Sequence, residues 1–359
     1  MDRSRSLRLG LGVWSLIVAL IALVVLTFLP TPYVIQRPGP VYNTLGTAAD
    51  KDGEQVPLIS VEGAETFETA GSLDLTTVQV VGNRQRTPSW FELALAWMDS
   101  SKAVVPLDSV FPEGVTTEQR DAQNATLMVD SQHEATAAAL NELGYDTGAQ
   151  VAVVEAVEGT PADGVLEADD VITAIDGTAV ESATQLRERI QDAEGDPVEL
   201  TVLRGGEEKD VEITPEQRTA DGETSWVVGV TLRTDYDFPI DVTIQLDNVG
   251  GPSAGMMFAL GIIDTLTPGE LNGGKDVAGT GTIDADGTVG PIGGIRQKLY
   301  GARDAGADFF LAPESNCDDV VGHVPDGLTV ISTSTLTESV HALEVIADGG
   351  DVGALPTCG

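Results

Sequence analysis

The segment between Asn248 and Lys298 limits the possible folds more than any other stretch, because two glycine-rich loops enclose a long apolar run. The first loop reads Asn-Val-Gly-Gly-Pro-Ser-Ala-Gly, and apolar residues fill most of positions 256–266 behind it. Such a run directly after small turn-forming residues predicts a buried helix that begins beside Ser253. The second loop reads Pro-Ile-Gly-Gly-Ile-Arg-Gln-Lys and predicts a second helix start that contains Lys298.

Ser253 and Lys298 form a chemically meaningful pair. A serine at a loop-to-helix junction lies among free backbone N–H groups, which favour a negatively charged oxyanion. Its hydroxyl is a weak nucleophile until a neighbouring base takes the proton. A lysine becomes such a base when burial lowers its pKa, and the residues at positions 295, 299 and 302 around Lys298 are apolar.

The order and spacing of these motifs resemble a known family. Ser253 and Lys298 lie 45 positions apart (298 − 253), with Thr280-Gly between them, an Ala-x-x-Ala-Gly helix after them and then the apolar strand Phe-Phe-Leu-Ala-Pro. Over residues 226–347 this pattern resembles the proteolytic domain of the Lon family of Ser-Lys peptidases, family S16. The resemblance implies an α/β proteolytic domain with Ser253 as nucleophile, Lys298 as general base and Thr280 as a hydroxyl that helps to orient the lysine.

Two glycines before the serine bear on the oxyanion. We expect N–H groups around Gly251 and Ser253 to stabilise it. At Gly250 the chain departs from the family, because Lon proteases usually carry an aspartate three residues before the serine. This departure affects the expected oxyanion geometry and leaves the dyad intact.

The N-terminal segment predicts a membrane anchor. Residues 1–8 carry three arginines and one aspartate, and residues 9–36 carry no charge. An apolar stretch of about twenty residues spans a bilayer as a helix, and flanking arginines keep their end in the cytoplasm. We therefore predict a transmembrane anchor over 9–31, a cytoplasmic N-terminus and an extracytoplasmic remainder. A cleaved signal peptide is the alternative.

The next region, residues 32–143, predicts a small β-rich module followed by a helix. Its β-prone runs are 58–61 and 73–81, and a helix is expected over 116–143 with Leu127, Ala135, Ala138, Ala139 and Leu140 on its buried side. An apolar cluster follows Thr87-Pro88-Ser89 and consists of Trp90, Phe91, Leu93, Leu95, Trp97 and Met98. The cluster fits either the membrane interface or the core, and we favour core packing.

Residues 144–216 resemble a PDZ domain of the kind found in bacterial proteases, through the sequence GTPADGVLEADDVITAIDGTAV. PDZ domains add an extended peptide to a sheet edge. We expect that edge at about 148–154, facing a helix around 183–190. The predicted peptide-binding residues are Gly148, Ala149, Val151 and Val153. A β-rich spacer that binds nothing is the other interpretation.

Composition narrows the function classes. The net charge of −38 disfavours nucleic acid as a partner. The chain has two cysteines and three scattered histidines, so no metal site or cofactor is expected. Outside the cell membrane Cys317 and Cys358 are free to form a disulfide, which would tie the tail 348–359 to the proteolytic domain; two free thiols are the alternative.

Together these features predict an α+β multidomain protein with the order anchor, β-rich module, PDZ domain and Lon-type domain. No phosphate-binding loop of the form Gly-x4-Gly-Lys-Ser/Thr occurs. The chain therefore resembles the membrane-anchored, PDZ-containing Lon-like proteases of bacteria, which implies an ATP-independent serine endopeptidase acting on protein or peptide substrates. The resemblance also implies a homo-oligomer, as a hexamer. The alternative function is a catalytically silent membrane scaffold that binds peptides.

Overall fold

The computed structural model describes residues 3–49, 53–180, 182–220, 223–246 and 249–359. Asn248, the first residue of the serine loop, lies outside the described residues, as do the first two residues of the predicted cytoplasmic segment.

The N-terminal part of the chain contains a long helix, a series of short strands and a second long helix. Its elements are α1 (Arg3–Phe28), β1 (Tyr33–Asn43), β2 (Thr47–Ala49), β3 (Gln55–Pro57), β4 (Ile59–Glu62), β5 (Ser72–Val81), α2 (Trp90–Trp97), β6 (Ala103–Pro106), α3 (Leu107–Val110) and α4 (Thr117–Glu142). Within the described ranges, no helix combines the length and the apolar character needed to cross a membrane.

The middle part forms a small β-sheet with one helix against it. Its elements are β7 (Gln150–Ala156), β8 (Val171–Ile175), β9 (Thr178–Ala179), α5 (Ala183–Asp192), β10 (Val198–Arg204), β11 (Glu207–Ile213), β12 (Glu216–Ala220), β13 (Glu223–Val227) and β14 (Val230–Asp235). The strands run in the order β11-β10-β8-β7-β14, β9 pairs with β8, and β12 and β13 form a separate hairpin. The sheet and α5 enclose their own apolar core, which includes Val151, Leu186 and Leu200.

The C-terminal part alternates strands with helices. Its elements are β15 (Asp241–Ile244), α6 (Gly255–Leu266), β16 (Asp276–Gly279), β17 (Thr282–Ile283), β18 (Val289–Gly290), α7 (Ile295–Ala305), β19 (Phe309–Pro313), α8 (Cys317–Val320), β20 (Thr329–Thr333) and α9 (Leu336–Ala347). Nearly every residue of α6 is buried, so this helix is the centre of the main core. A helix that is apolar on all sides needs such surroundings.

The largest sheet joins the two ends of the chain. Its order is β20-β19-β16-β5-β1-β6, with β20, β19, β16 and β5 parallel and β1 and β6 antiparallel to their neighbours. This arrangement corrects the expectation of a separate β-rich module, because β5 pairs directly with β16 along Ser72–Leu75. Strand propensity identifies a strand, but it carries no information about a partner that lies two hundred residues away.

Helix α4 packs on the same core as α6. Met128 and Ala135 lie in the same core as α6, and capping by Thr116 and Gln119 fixes where α4 begins. The sequence places the helix correctly but errs at Leu127, which is exposed.

The prediction for the aromatic cluster of α2 is partly wrong. Leu93 and Ala96 are buried against Ile35, as core packing requires. The side chains of Phe91, Leu95 and Trp97 point outward and are exposed, and so is that of Met98 directly after the helix.

Candidate active site

Ser253 lies directly before α6, at the junction that the sequence predicts. Its carbonyl oxygen accepts hydrogen bonds from the Thr280 hydroxyl (2.8 Å) and from the Gly281 N–H (3.1 Å). The Met256 N–H in turn donates to the Gly281 carbonyl (3.2 Å). The serine loop is thus fixed to the chain that leaves β16, so its hydroxyl has a defined position.

Lys298 lies in the first turn of α7 and points into the protein. Gly294 precedes this helix with a φ of +70°, and a Cβ there would come within 2.7 Å of the Val78 side chain. Glycine at this position therefore lets α7 start close to β5. Ile295 and Leu299 are buried beside the lysine, whose exposure is only 2%.

The two predicted catalytic side chains meet. Nζ of Lys298 donates to Oγ of Ser253 at 2.8 Å and to Oγ1 of Thr280 at 2.7 Å. Desolvation lowers the pKa of Lys298 from 10.5 to about 7, because burial disfavours the charged ammonium. A lysine with this pKa is present in the neutral form at physiological pH, where it can accept the proton of Ser253.

Thr280 links the serine loop and the lysine. It is fully buried at the end of β16, where its N–H donates to the Leu311 carbonyl. Its hydroxyl accepts from Lys298 and donates to the Ser253 carbonyl, so both hydrogen-bonding functions of the hydroxyl are used. The geometry agrees with the orienting role that the family resemblance implies.

The expected oxyanion donors need correction at Gly251. Its N–H already donates to the backbone carbonyl of Asn124 in α4 at 2.9 Å, so it is not free for an oxyanion. Within the described part of the chain, the N–H groups of Ser253 and Ala254 have no partner. These two groups, at the N-terminus of α6, are the available donors.

Helix α4 explains the departure at Gly250. A Cβ at this position would lie 2.8 Å from Cβ of Asn124, so the approach of α4 requires glycine where the family usually has aspartate. Ser131 donates to the Pro252 carbonyl at 3.0 Å, and Met128 lines the site. These three α4 residues were not predicted from the sequence, although their spacing of i, i+4 and i+7 places them on one helix face.

A groove of about 380 Å³ opens at the dyad. One side consists of the serine loop and the other of β5, from Thr76 to Gln79. β5 pairs with β16 only up to Leu75, so its second half keeps one unpaired backbone side within the described structure. An extended peptide can add to such a strand edge with its carbonyls passing Ser253.

The predicted peptide-binding residues of the PDZ region lie elsewhere. Val151 and Val153 are buried in the PDZ core within β7, and Gly148 and Ala149 directly precede that strand. β7 pairs with β8 on one side and with β14 on the other, so it offers no edge. Residues 230–235 fall within the range 226–347 that resembles the proteolytic domain, so this strand was not predicted for the PDZ region.

The described edge strands of this sheet are β11 and β14, and of these β14 contacts α5. β14 pairs with β7 alone among the described strands, and it contacts α5 on its other side. At one end of this groove the Gln191 side chain accepts from the Trp226 N–H (2.9 Å) and donates to its carbonyl, which holds α5 beside β13. The groove between β14 and α5 is the PDZ peptide-binding candidate.

The PDZ region touches the loop that leaves the active site. In the β17–β18 hairpin, Asp284 accepts from the Thr184 hydroxyl of α5 at 3.1 Å. Glu134 of α4 accepts from the Ala285 N–H and from the Tyr236 hydroxyl, both at 2.8 Å. Burial raises the pKa of both carboxyl groups. The hairpin that follows Thr280 thus contacts α4 and the PDZ region together.

The two cysteines form a disulfide, Cys317–Cys358, so the C-terminal tail is attached to the start of α8. This pairing fixes the tail beside Ser332, whose N–H donates to the Pro356 carbonyl.

Two parts of the chain match known domain families. Residues 114–214 match the PDZ domain, and residues 242–345 match the Lon protease (S16) C-terminal proteolytic domain. The PDZ match includes α4, although this helix packs on α6.

Individual relatives agree with these matches. Lon protease 1 of Bacillus subtilis (strain 168) is 38% identical over 112 residues, which are 30% of this chain and 14% of the relative. Lon protease 2 of Herpetosiphon aurantiacus is 39% identical over 106 residues, 28% of this chain and 13% of the relative. The chain therefore spans only a small fraction of the length of these relatives.

A solved PDZ domain of the SdrC-like protein from Listeria monocytogenes is 30% identical, covering 24% of this chain and 88% of that chain with a TM-score of 0.22. The two family matches show that the chain combines a PDZ domain with the C-terminal proteolytic domain of the Lon (S16) proteases, which is the domain of a serine endopeptidase.

Proposed function

We propose that this protein is a membrane-anchored serine endopeptidase that cleaves flexible or unfolded protein segments outside the cytoplasmic membrane without ATP. The observation that carries the proposal is the 2.8 Å contact between Nζ of Lys298 and Oγ of Ser253, in a site where the lysine is only 2% exposed. A catalytically silent scaffold has no physical need for a buried lysine held between two hydroxyls.

The acylation step uses the neutral lysine as base. As Oγ of Ser253 attacks the carbonyl carbon of the scissile bond, Lys298 takes the hydroxyl proton. The N–H groups of Ser253 and Ala254 stabilise the tetrahedral oxyanion. When the C–N bond breaks, the Lys298 ammonium gives its proton to the leaving amine, and an ester to Ser253 remains.

Deacylation repeats these steps with water. A water molecule loses a proton to Lys298 and attacks the ester carbonyl, and the second tetrahedral intermediate again places its oxyanion at the start of α6. Its collapse releases the carboxyl product, and Lys298 returns the proton to Oγ of Ser253. The hydrogen bond from Nζ to Thr280 keeps the amine in place through both steps.

The groove determines the proposed substrate class. A substrate pairs in extended form with the free half of β5, so a folded segment has to open first. The chain carries no phosphate-binding loop that would power such opening. Substrates are therefore loose loops, tails or chains that are already unfolded, selected by peptide binding between β14 and α5.

The sequence supports the location of the enzyme. The uncharged stretch 9–36 follows three arginines, and the described apolar side chains of α1 are exposed, as lipid contact requires. The PDZ and proteolytic domains then lie outside the membrane, where the Cys317–Cys358 disulfide is stable. Assembly into a homo-oligomer, as a hexamer, stays a prediction by resemblance.

Cleavage of a disordered, fluorogenic reporter by the full chain in nanodiscs tests the proposal. The comparison includes wild type, Ser253→Ala, Lys298→Met and the matched control Lys275→Met, whose lysine lies exposed. We expect turnover from wild type and the control, and none above background from the two dyad variants. Equal turnover in all four proteins would favour a contaminating protease and contradict the proposal, whereas peptide binding without any cleavage would favour the scaffold.

A further inference from the structure

Helix α2 presents an unusual outward face. Phe91, Leu95 and Met98 follow the spacing i, i+4 and i+7, so they form one stripe, and Trp97 lies beside it. Trp97 is 62% exposed and Met98 is 78% exposed. Single exposed apolar residues are ordinary, but a cluster of four large ones, three on a short helix and one directly after it, marks an interaction surface.

Hydrogen bonds hold the start of α2 close to the end of α1. Thr31 donates from its N–H to the Thr87 hydroxyl (3.2 Å) and from its own hydroxyl to the Pro88 carbonyl (2.8 Å). The Leu107 N–H donates to the Pro32 carbonyl (2.8 Å). Only residues 29 and 30 separate α1 from this attachment, so the end of α1 lies within about 10 Å of it. α1 and α2 are also in contact.

The charge around α2 differs from that of the whole chain. Residues 30–43 and 78–111 sum to +1 (4 − 3) in a chain of −38. The charged residues of these two stretches are Arg37, Arg84, Arg86, Lys102, Glu92, Asp99 and Asp108. Glu92 accepts from the Ser89 N–H and hydroxyl, and Asp99 pairs with Lys102 at 2.8 Å. An anionic membrane surface is therefore repelled less by this end of the molecule than by the strongly acidic remainder of the chain.

We propose that the exposed face of α2 lies in the headgroup region of the bilayer that holds α1. The inference rests on the proposed membrane anchor and adds a second contact with lipid. Short amphipathic helices with Trp and Phe bury their apolar face at this depth, and tryptophan favours the interface. Val81, at the end of β5, packs against α2, so the groove beside Thr76 opens within about 20 Å of the lipid.

Depth-dependent fluorescence quenching of the full chain tests this surface. The native cysteines are paired, so a cysteine introduced at one position carries the only label. Met98→Cys and Phe91→Cys probe α2, Val18→Cys probes the anchor, and Leu203→Cys is the matched control because this exposed apolar residue lies on the PDZ sheet. Each variant carries an environment-sensitive dye in nanodiscs of phosphatidylcholine and phosphatidylglycerol with nitroxide-labelled lipids.

We expect labels at 98 and 91 to shift to the blue and to lose about half of their emission or more to shallow nitroxides, while the label at 203 stays unquenched. If the label at position 18 is quenched and the labels at positions 98 and 91 are not, this inference is overturned while the proposed anchor is supported. Labels that are unquenched at all positions overturn both proposals. A blue shift of the label at position 98 that occurs only when a nanodisc holds several copies of the protein would show that α2 contacts a second copy. That outcome would also overturn the inference.

Discussion

The proteolytic and PDZ regions each bury an ionisable side chain. Burial favours the neutral form of Lys298, whereas Asp170 stays ionised. Lys298 is 2% exposed and its amine donates to the hydroxyl groups of Ser253 and Thr280, and desolvation lowers its pKa to about 7. The Asp170 side chain is 1% exposed and accepts two hydrogen bonds from Arg204, at 2.7 and 2.6 Å. Burial alone would raise the pKa of Asp170, but the bonds from Arg204 and from the Glu167 N–H bring it below its usual value.

The two side chains are similarly buried, and what differs between the sites is the hydrogen-bond partner of each ionisable group. A buried carboxylate with a bidentate guanidinium stays ionised and contributes to the PDZ fold. A buried amine that faces hydroxyls loses its proton near neutral pH and becomes a base. Burial therefore produces a structural ion pair in one domain and a reactive group in the other.

The largest expected effect comes from removing the reactive group. Lys298→Met should lower kcat by about a thousandfold or more, because among the described residues no second basic side chain is hydrogen-bonded to Ser253. Peptide affinity at the β14 groove should stay within about twofold, since the PDZ core is separate. Fluorescence anisotropy of a labelled peptide, measured beside turnover, checks both values, and a parallel loss of binding would show that Lys298 supports the fold.

Removing the partner in the PDZ region should have the opposite pattern. Arg204→Ala leaves Asp170 buried without its ion pair, which destabilises the PDZ domain by about 3 to 5 kcal/mol. Cleavage of a short peptide that needs no PDZ contact should persist. Hydrogen exchange by mass spectrometry locates the destabilised strands, and protection of β8 and β10 equal to that in wild type would contradict the structural role of the pair.

The pH dependence of acylation sharpens the contrast. The rate should rise about tenfold per pH unit below 7 and level off above it, because only neutral Lys298 accepts the serine proton. The same shift makes stability increase with pH between about 7 and 10.5, since the unfolded chain keeps its proton in that window. Burst kinetics with an ester substrate measure the rate, and a profile flat between pH 5 and 8 would exclude this base.

A smaller effect is expected where α4 meets the serine loop. Gly250→Ala places a Cβ 2.8 Å from that of Asn124 and should lower kcat by about tenfold, because the loop has to move. Gly293→Ala is the matched control, since the Cβ of an alanine there meets no atom within 4 Å in the same groove. Steady-state kinetics separate the two variants, and equal rates would show that α4 does not constrain the loop.

The sequence predicts those parts of the molecule that local residues determine. The strand Phe309–Pro313 has the predicted bounds, because a run of β-prone residues ends at a proline there. The serine and lysine loops are also local, and family resemblance supplied their pairing. Contacts between residues that are far apart in the sequence were not predictable in this way. The partner of β5, the addition of β14 to the PDZ sheet and the outward face of α2 depend on which surfaces meet after folding.

A direct titration of Lys298 tests the central claim most sharply. The chain's lysines are Lys51, Lys102, Lys209, Lys275 and Lys298, so carbon-labelled lysine gives few Cε signals in an NMR spectrum. Lys298→Arg identifies the signal of interest by its loss. We expect this signal to titrate with a midpoint near pH 7. A Lys298 side chain that stays protonated to pH 10 would contradict the proposed mechanism, because the amine hydrogen-bonded to Ser253 could then not act as a base at neutral pH.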